Sequence, residues 1–478
     1  MAEHSGFHSL HEETSASLSV AGALPPWLTG SLLRNGPGAF SFPDGSAVDH
    51  WFDGLAMVTR FTFDPDRGEI HYRNRFLETE AYEAARAGEF DGGFATGETT
   101  LRSRLANFLT DPYDNTNIIV ERVGDRYLAL TESPRWVELD PATLATTGHV
   151  QYDGPAPAGQ LTCAHLKRDP ATDSLLNVAT EFGRTSQYHV YAMEGPQSRT
   201  HVGSVPTEKP AYMHSFALTP RYVVLTEFPL RLDPRRLLKP GRQAAFIEQF
   251  EWEPEHGTRV VVVDRTTGDT VATPTVEPLF GFHHVNAFER AGGTEIVVDV
   301  ETVPDATTID SLYLDRLRAG ELGTLAGRLE RITVTLDADA ESGATAARRQ
   351  LYDDGIALPT VSPDRWCRSH RYVYAMAMAQ PVTEWARGVR KVDVESGEAT
   401  TNRDGADYFG EPIFVPDPGG ADEDDGVVLA VGLDEADDES RLFVLDGTTL
   451  DERARVDLPH RLPFDFHGRY FPEVRAKR

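Results

Sequence analysis

Four histidines could do chemistry together, because each follows a short apolar or aromatic stretch typical of a strand end. No two of them form a compact metal motif, since 49, 69 and 184 residues separate successive members. Such a set indicates one residue from each of several blades of a radial β-structure, all pointing at one axis. Four neutral imidazoles around one point would form an iron site. The residues are His165, His214, His283 and His467.

Short segments rich in β-branched and aromatic residues indicate strands along most of the chain. Examples are Tyr222–Glu227, Arg259–Val263 and Glu295–Val300. A turn that begins with Asp and soon reaches Thr, Ser or Gly recurs after many strands, as at 264–268 and 446–449. Asp accepts hydrogen bonds from the backbone that follows it, and Gly permits positive φ. Each motif therefore predicts a hairpin turn.

The spacing of these turns suggests a blade repeat with insertions. We predict an all-β propeller that forms one domain over residues 1–478, with a flexible N-terminal segment over 1–20. Helical patterns are sparse, and Tyr82–Ala87 and Ser311–Gly327 are the best candidates. A pair of β-sandwiches is the alternative architecture.

The acidic composition excludes some classes of function. The chain has 75 acidic and 46 basic residues, a net charge of −29, whereas nucleic-acid binding needs a basic surface. Two cysteines, Cys163 and Cys367, fit a reducing cytoplasm better than a disulfide scaffold. The polar start has no apolar signal region, and no apolar run is long enough to span a membrane. We therefore expect a cytoplasmic protein.

Lysine is scarce, since five of the 46 basic residues are lysine and the others are arginine. With the net charge, this suggests a halophilic host with high internal potassium, where carboxylates keep the protein surface hydrated. A GC-rich genome is the alternative explanation. For a halophilic protein, we expect calorimetry to show a thermal unfolding midpoint that rises between low and multimolar KCl. A midpoint that does not rise would count against the hypothesis.

Short motifs follow one another in a characteristic order along nearly the whole chain. They are Trp27–Gly38, His50–Gly54, Asp114–Asn117, Thr131–Glu132, Met213–Thr219, Phe282–Asn286, Glu411–Val415, Asp424–Val428 and Phe466–Gly468. Together they resemble the carotenoid cleavage oxygenase family, especially its branch of β-carotene central-cleavage enzymes and retinoid isomerohydrolases. The resemblance implies a seven-bladed β-propeller, capped by loops and a few short helices. It also implies an axial non-haem Fe(2+) bound by the four histidines.

The family uses three glutamates that orient the metal-binding histidines through the second ring N–H. Glu132 and Glu411 match two of them. The stretch expected to hold the third is Ala357-Leu358-Pro359, which has no glutamate. Asp353 and Asp354 could serve only after a shift in register. We therefore expect one histidine without a charged partner, and weaker metal binding.

Other candidate residues have simpler interpretations. His284 should point to the strand face opposite the third metal-binding histidine, and His50 and His370 should only hydrogen-bond locally. Cys163 lies two residues before the first of the four histidines. Without further thiolates we interpret it as a small buried residue. Asp422–Asp425 is interpreted as a solvated turn rather than a cation site.

One segment breaks the acidic pattern. Residues 231–247 contain five cations and one acid, interleaved with Leu237, Leu238 and Phe246. This composition is typical of a segment that inserts apolar side chains into a bilayer and places arginines at the headgroups. We predict a peripheral contact with the inner face of the cell membrane. A surface loop with local ion pairs is the alternative.

The resemblance implies that O2 cleaves one double bond of a conjugated polyene to give two aldehydes. The branch favours the central 15,15' bond of β-carotene, with retinal as product. The alternatives are an apocarotenoid or stilbene-type oxygenase, a retinoid isomerase or hydrolase on the same iron site, and a non-catalytic carotenoid-binding protein. No Ser/His/Asp or paired-carboxylate arrangement is recognisable in the sequence, so we expect no general acid or base.

Overall fold

Seven β-sheets form the blades of a propeller in the computed structural model of the protein. The structure describes residues 4–90, 93–96, 113–153, 158–237, 245–337, 340, 342–402 and 407–475. Within these ranges, strands far outnumber helices, which confirms the predicted all-β propeller.

Blades 1 to 4 follow one another along the first part of the chain. Blade 1 consists of Ser15–Ser19, Ser31–Ala39, Leu55–Asp64, Glu69–Phe76 and His467–Phe471. Blade 2 consists of Ile119–Val123, Arg126–Leu130, Val137–Leu139 and Thr146–His149. Blade 3 consists of Leu161–Thr162, Lys167–Arg168, Leu175–Glu181, Ser186–Met193 and Thr200–Thr207. Blade 4 consists of Ala217–Leu218, Tyr222–Glu227, Thr258–Asp264, Thr270–Ala272 and Thr275–Val276, with a small inserted sheet of Leu230–Leu232 and Phe250–Trp252.

Blades 5 to 7 complete the ring. Blade 5 consists of His284–Arg290, Glu295–Thr302, Arg328–Leu336 and Ala344–Gln350. Blade 6 consists of Gly355–Thr360, Tyr372–Met378, Val389–Asp393 and Ala399–Thr401. Blade 7 consists of Tyr408–Phe409, Ile413–Pro416, Gly426–Asp434, Glu439–Asp446, Glu452–Asp457 and Ala21–Gly22.

Helices connect or cap the blades. The α-helices of the described residues are Glu80–Ala87, Thr307–Asp310 and Leu314–Ala319. The 3-10 turns are Ser5–Phe7, Trp51–Asp53, Pro234–Arg236, Ile247–Gln249, Pro254–His256, Ala291–Gly293 and Pro363–Arg365. The first α-helix confirms the helical pattern of Tyr82–Ala87. A helix over the whole of Ser311–Gly327 is wrong, because Gly320 adopts a left-handed φ of 73° and ends the helix there.

The predicted Asp turns join neighbouring strands. The carboxylates of Asp264 and Asp446 each accept hydrogen bonds from the backbone N–H groups two and three residues later, at 2.7 to 3.1 Å. The turns join antiparallel strands of blades 4 and 7, respectively. The hairpin predictions are therefore confirmed at these positions.

The hydrophobic core lies between facing blades. All six residues of Tyr222–Glu227 are buried, because this strand of blade 4 is covered on both sides. Val223 and Val261 of blade 4 pack in one cluster with Val178 and Val190 of blade 3. Such burial on two faces explains why these strands are nearly continuous apolar runs in the sequence.

The N-terminal segment is part of this packing. Phe7 is fully buried and contacts Trp51 and Trp385 edge to face, at centroid distances of 5.8 and 5.2 Å. Ser15–Ser19 pairs with the outer strand Glu69–Phe76 of blade 1. The expectation of a flexible segment over 1–20 is therefore wrong for residues 4–20, because aromatic burial and strand pairing hold them.

Both ends of the chain close the ring. Ser31–Ala39 pairs antiparallel with His467–Phe471 inside blade 1, so that Asn35 lies opposite His467. Ala21–Gly22 also adds to the outer edge of blade 7. The propeller is therefore closed at two places by strands from opposite ends of the sequence.

Candidate metal centre and substrate cavity

The four histidines converge at the inner ends of blades 1, 3, 4 and 5. His165 lies between the two short inner strands of blade 3, and His214 precedes the inner strand of blade 4. His283 immediately precedes the inner strand of blade 5, and His467 begins the inner strand of blade 1. One ring nitrogen from each lies within 4.8 Å of the others. The structure thus brings together all four residues singled out in the sequence.

Three of the imidazoles are oriented by glutamates that are buried or half-buried. Nδ1 of His214 lies 2.6 Å from Glu132 Oε1, and Nδ1 of His467 lies 2.8 Å from Glu411 Oε1. Glu132 also accepts a hydrogen bond from the Tyr212 hydroxyl at 2.8 Å. Because a carboxylate accepts the Nδ1 proton, the neutral ring keeps its lone pair on Nε2.

The third orienting glutamate is Glu301, which the sequence analysis missed. Its Oε2 atom lies 2.7 Å from Nδ1 of His283, and the residue is 8% exposed at the end of a blade 5 strand. Ala357 lies in blade 6 and borders the large cavity instead. Asp354 pairs with Arg390. The expectation that one histidine lacks a charged partner is therefore wrong, because Glu301 of blade 5 supplies the carboxylate that position 357 does not.

A signal for Glu301 was present in the strand itself. Ile296–Val300 is fully buried, and a carboxylate at the end of such a strand needs a partner. The backbone of Gly327 also packs closely against the Glu301 side chain, because a Cβ on Gly327 would lie 2.5 Å from Glu301 Cγ. Glycine at 327 therefore leaves the space in which the carboxylate reaches His283.

Burial keeps three of the four imidazoles neutral. Desolvation lowers the pKa of His283 to about 4, although hydrogen bonding to Glu301 opposes the shift. Desolvation also places the pKa values of His165 and His467 well below their usual range, and the neighbouring histidines add to the shift. Neutral rings at pH 7 are the form that binds a metal ion.

The arrangement fits a divalent transition metal. Nε2 of His283 is buried and has no hydrogen-bond partner among the residues that the structure describes, although a buried nitrogen lone pair is normally satisfied. Nε2 of His165 and Nε2 of His214 lie 3.0 Å apart and face each other. A metal ion would satisfy these inward-facing atoms, and an all-imidazole set suits iron, zinc, copper or nickel.

Arg34 supports the site from the closure strand. Its guanidinium is fully buried, forms two hydrogen bonds to Asp465 at 2.5 and 2.6 Å, and donates to the Glu411 carbonyl at 2.9 Å. Burial raises the pKa of the Glu411 carboxyl to about 7, and the Arg34 charge opposes that shift. The Arg34-Asn35-Gly36 motif thus connects the ring closure to an orienting glutamate.

We expect Arg34→Met to lower the free energy of unfolding by about 3–5 kcal/mol, because it removes a fully buried guanidinium and leaves half-buried Asp465 and the Glu411 carbonyl without their partner. Denaturant titration of the purified chain measures this loss. Arg235→Met is the matched control, because Arg235 is 82% exposed and pairs only with Asp233 in the described structure. The control should change stability by less than about 1 kcal/mol. Equal effects of the two substitutions would refute the role of Arg34.

A large cavity reaches the four-histidine cluster. It has a volume of about 1740 Å³ including its open mouth, and His214, His283 and His467 form part of its wall. Most of the remaining wall is apolar, and its aromatic and aliphatic members include Trp51, Phe52, Phe282, Leu312, Leu325, Met376, Met378, Trp385 and Phe466. The cavity can therefore enclose a long hydrophobic molecule beside the cluster.

Polar residues of the N-terminal motifs shape this cavity wall. The buried Asp53 carboxylate accepts hydrogen bonds from the backbone N–H groups of Ala95 and Thr96 at 2.9 and 2.7 Å. Asn115 and Asn117 both donate to the Gly54 carbonyl at 2.8 Å. These bonds fix the loop that carries Trp51 and Phe52, which explains the motif 50–54.

The other candidate residues have local partners. His284 bonds to Ser215 and Thr226 at 2.7 and 2.8 Å, on the face away from the cluster. His50 bonds to the Ile309 carbonyl, and the His370 ring lies 3.0 Å from Asp299. Cys163 is buried, with its Sγ 3.3 Å from the Met213 carbonyl. In the turn 422–425, Asp425 accepts two backbone N–H groups and Asp424 pairs with Lys391.

Residues of the basic segment 231–247 make more contacts with the rest of the protein than the sequence analysis predicts. Arg231 and Arg236 form ion pairs with Glu253 and Glu251. Leu237 is 8% exposed and borders the large cavity together with Phe246, so neither side chain projects freely outward. Leu238 and the two cations at 239 and 242 lie outside the described residues. Within those residues, no helix has the length and apolar character needed to cross a membrane.

Comparison with known proteins gives the family. Residues 7–472 match the family described as retinal pigment epithelial membrane protein (RPE65). The chain belongs to this family. Similar proteins include carotenoid cleavage dioxygenase 8 homolog A of Oryza sativa, which is 33% identical over 96% of this chain and 86% of the relative. Apocarotenoid-15,15'-oxygenase of Synechocystis is also 33% identical, over 94% and 91% of the two chains.

Two further relatives are informative. Beta,beta-carotene 15,15'-dioxygenase of Gallus gallus is 31% identical, over 95% of each chain. The crystal structure of cobalt-substituted Synechocystis apocarotenoid oxygenase has a TM-score of 0.85, at 27% identity, and covers 98% of this chain and 97% of its own. The predicted membership of the carotenoid cleavage oxygenases and the seven-bladed propeller are thus confirmed. This member of the RPE65 family is a carotenoid or apocarotenoid cleavage oxygenase.

Proposed function

We propose that the protein cleaves the central 15,15' double bond of β-carotene with O2 to give two molecules of retinal, and that His165, His214, His283 and His467 bind Fe(2+). The observation that carries the proposal is the apolar cavity whose wall includes three of the four histidines. A rigid polyene would lie in this cavity with one of its double bonds beside the cluster. The chicken relative is named for cleavage of this bond.

The chain's own residues bind and position the substrate. Trp51 and Trp385 lie edge to face, 5.7 Å apart, and both indole N–H groups donate to backbone carbonyls. Their polar atoms are therefore satisfied within the protein, and the rings present an apolar surface to the polyene. The buried aromatic wall excludes water, so that the reacting bond and O2 meet in a dry site.

The three glutamates hold the imidazoles with Nε2 facing inward, so their carboxylates are engaged as acceptors for the histidine rings. When bound, Fe(2+) would supply the redox chemistry that activates O2. In the overall reaction the carbon–carbon double bond breaks and each carbon receives one atom of O2. No external reductant or proton is needed.

The test uses iron-loaded protein, β-carotene in detergent and ¹⁸O2, with product chromatography and mass spectrometry. We expect two molecules of retinal, each carrying one labelled oxygen, and no product without O2. Unlabelled or anaerobic product would favour a retinoid isomerase or hydrolase. Bound carotenoid without product would favour a carotenoid-binding protein.

An apocarotenoid substrate is the second candidate. Thr131, Ser133 and Gln160 give part of the cavity wall a polar character that a symmetrical hydrocarbon does not need. The Synechocystis relative is named for oxygenation of apocarotenoids. Parallel assays with a β-apocarotenal, β-carotene and a stilbene discriminate the three substrate classes by kcat/KM.

We also propose that the protein works in the cytoplasm, at the inner face of the cell membrane, and that segment 231–247 makes the contact. Support comes from Leu237 and Phe246, which border the cavity from a segment that is basic in an acidic chain. A carotenoid could then enter from the bilayer without crossing water.

Replacing Leu237 and Phe246 by Ser should reduce cleavage of β-carotene in anionic liposomes by about tenfold or more, while metal content stays constant. Assays in detergent give the matched reference, because they bypass the bilayer. Equal losses in liposomes and detergent would assign both residues to the cavity wall alone and refute the membrane contact.

A further inference from the structure

A second cavity lies on the other side of the four-histidine cluster. Its volume is about 880 Å³ including its opening, and His165, His283 and His467 form part of its wall. His283, His467 and Leu358 border both cavities, so these residues separate the second cavity from the apolar one. Unlike the first, its wall includes three cations, Lys167, Arg168 and Arg469.

Lys167 differs from the other described lysines. Lys209 and Lys391 each pair with a carboxylate, whereas in the described part of the chain Lys167 forms no ion pair. Its Nζ donates one hydrogen bond, to the His284 carbonyl at 3.0 Å. An ammonium group has three N–H donors, so two of them are available to a ligand in the cavity.

Arg469 adds further donors. Its Nε donates to Glu121 at 3.0 Å, and its guanidinium stacks on Trp366 with Cζ 4.9 Å from the ring centroid. Glu121 is shared, because its other oxygen accepts from Arg168 at 3.0 Å. Arg168 also pairs with Asp173 at 2.7 Å, so two carboxylates serve these two guanidinium groups, and Lys167 is the cation of the cavity wall that has no carboxylate partner among the described residues.

The polar side chains in the wall of the second cavity that could accept hydrogen bonds already bond to other protein groups. The side chains of Ser215, Thr360, His284, Asn286 and Glu411 all form hydrogen bonds to other protein groups. Ile119, Leu166, Val285, Val361 and Trp366 make much of the rest apolar. A ligand here meets free donors and positive charge, but few free acceptors.

We propose that this second cavity binds a small monovalent anion, a halide or a short carboxylate such as formate, between Lys167 and Arg469. In an apolar surrounding, an anion compensates a buried cation better than water does. The high negative charge of the protein makes the position unusual, because the surface as a whole repels anions. The proposal does not depend on which substrate the apolar cavity takes.

Bromide and formate test the site in the full chain, with and without metal. Thermal unfolding is followed while gluconate is replaced by bromide or by formate at one fixed potassium concentration, so that potassium effects cancel. We expect a saturable rise of the midpoint in the wild type, and apparent affinity weaker by about 10- to 100-fold in Lys167→Met. Lys209→Met, which removes a lysine outside the cavity, should behave as the wild type. The anion whose effect on the midpoint saturates at the lower concentration, bromide or formate, identifies the preferred ligand as a halide or a carboxylate.

Crystals soaked in bromide give the direct readout, an anomalous peak within hydrogen-bonding distance of Lys167 and Arg469. Lys167→Arg keeps the charge and should keep the peak. If Lys167→Met does not fold, Arg469→Gln serves instead, with the same expected loss. Peaks on the surface only, or equal midpoint responses in all variants, would overturn the proposal.

Discussion

His214→Ala should abolish both metal binding and carotenoid cleavage. His214 supplies one of the four converging nitrogens, and its Nδ1 is already bound to Glu132. Even the loss of an outer partner weakens a metal site by about 10- to 100-fold, so the loss of a ligand should cost more than about 100-fold. Plasma mass spectrometry of metal per chain, with the rate of aldehyde formation, measures both effects.

His201→Ala is the matched control for this substitution. His201 is exposed in blade 3 and bonds to Ser204 rather than to the cluster. It should retain full metal content and activity. If His214→Ala keeps the wild-type metal content and also the wild-type activity, the four-histidine site is contradicted. If it keeps the metal but forms no product, His214 acts in catalysis and is not needed for metal binding.

Glu301→Ala should weaken metal binding by about 10- to 100-fold, because it frees the His283 ring and removes the acceptor that fixes its tautomer. Glu301→Gln, which keeps an acceptor but not the charge, should lose less. Competition against a chelator of known affinity measures the dissociation constants. Glu295→Ala, at the start of the same strand, should leave the dissociation constant unchanged.

Ala357→Glu completes this test. Ala357 borders the apolar cavity, so a carboxylate there would be buried without a partner. We expect cleavage to fall and the metal dissociation constant to remain unchanged. Tighter metal binding in Ala357→Glu would instead place the orienting carboxylate in blade 6, against the contact between Glu301 and His283.

The sequence was sufficient for the histidines, because their flanking residues resemble strand ends and their order matches a known family. It was insufficient for Glu301, because that residue orients His283 from the neighbouring strand of the same blade, 18 residues away. Pairing at such distance depends on strand register, which no local motif specifies. The lack of a glutamate at 357 was correctly predicted, but no local motif indicated that a strand of blade 5 supplies the carboxylate instead.

The segment 231–247 shows a second limit. Composition alone identified an unusual basic stretch, but it could not tell which apolar side chains point inward. Leu237 and Phe246 border the cavity because a small extra sheet, Leu230–Leu232 with Phe250–Trp252, holds both ends of the segment. The position of the N-terminal residues 4–20 was missed for a similar reason, since their partners lie far away in sequence.

Ring closure also sets when the protein can become active during its synthesis. His467 follows His165 by 302 residues and lies on the last strand of the described residues. At about 5–20 residues per second, a ribosome needs about 15–60 s to pass from one to the other. A nascent chain therefore cannot bring the four histidines together until His467 has been translated, and a chain truncated before His467 never does.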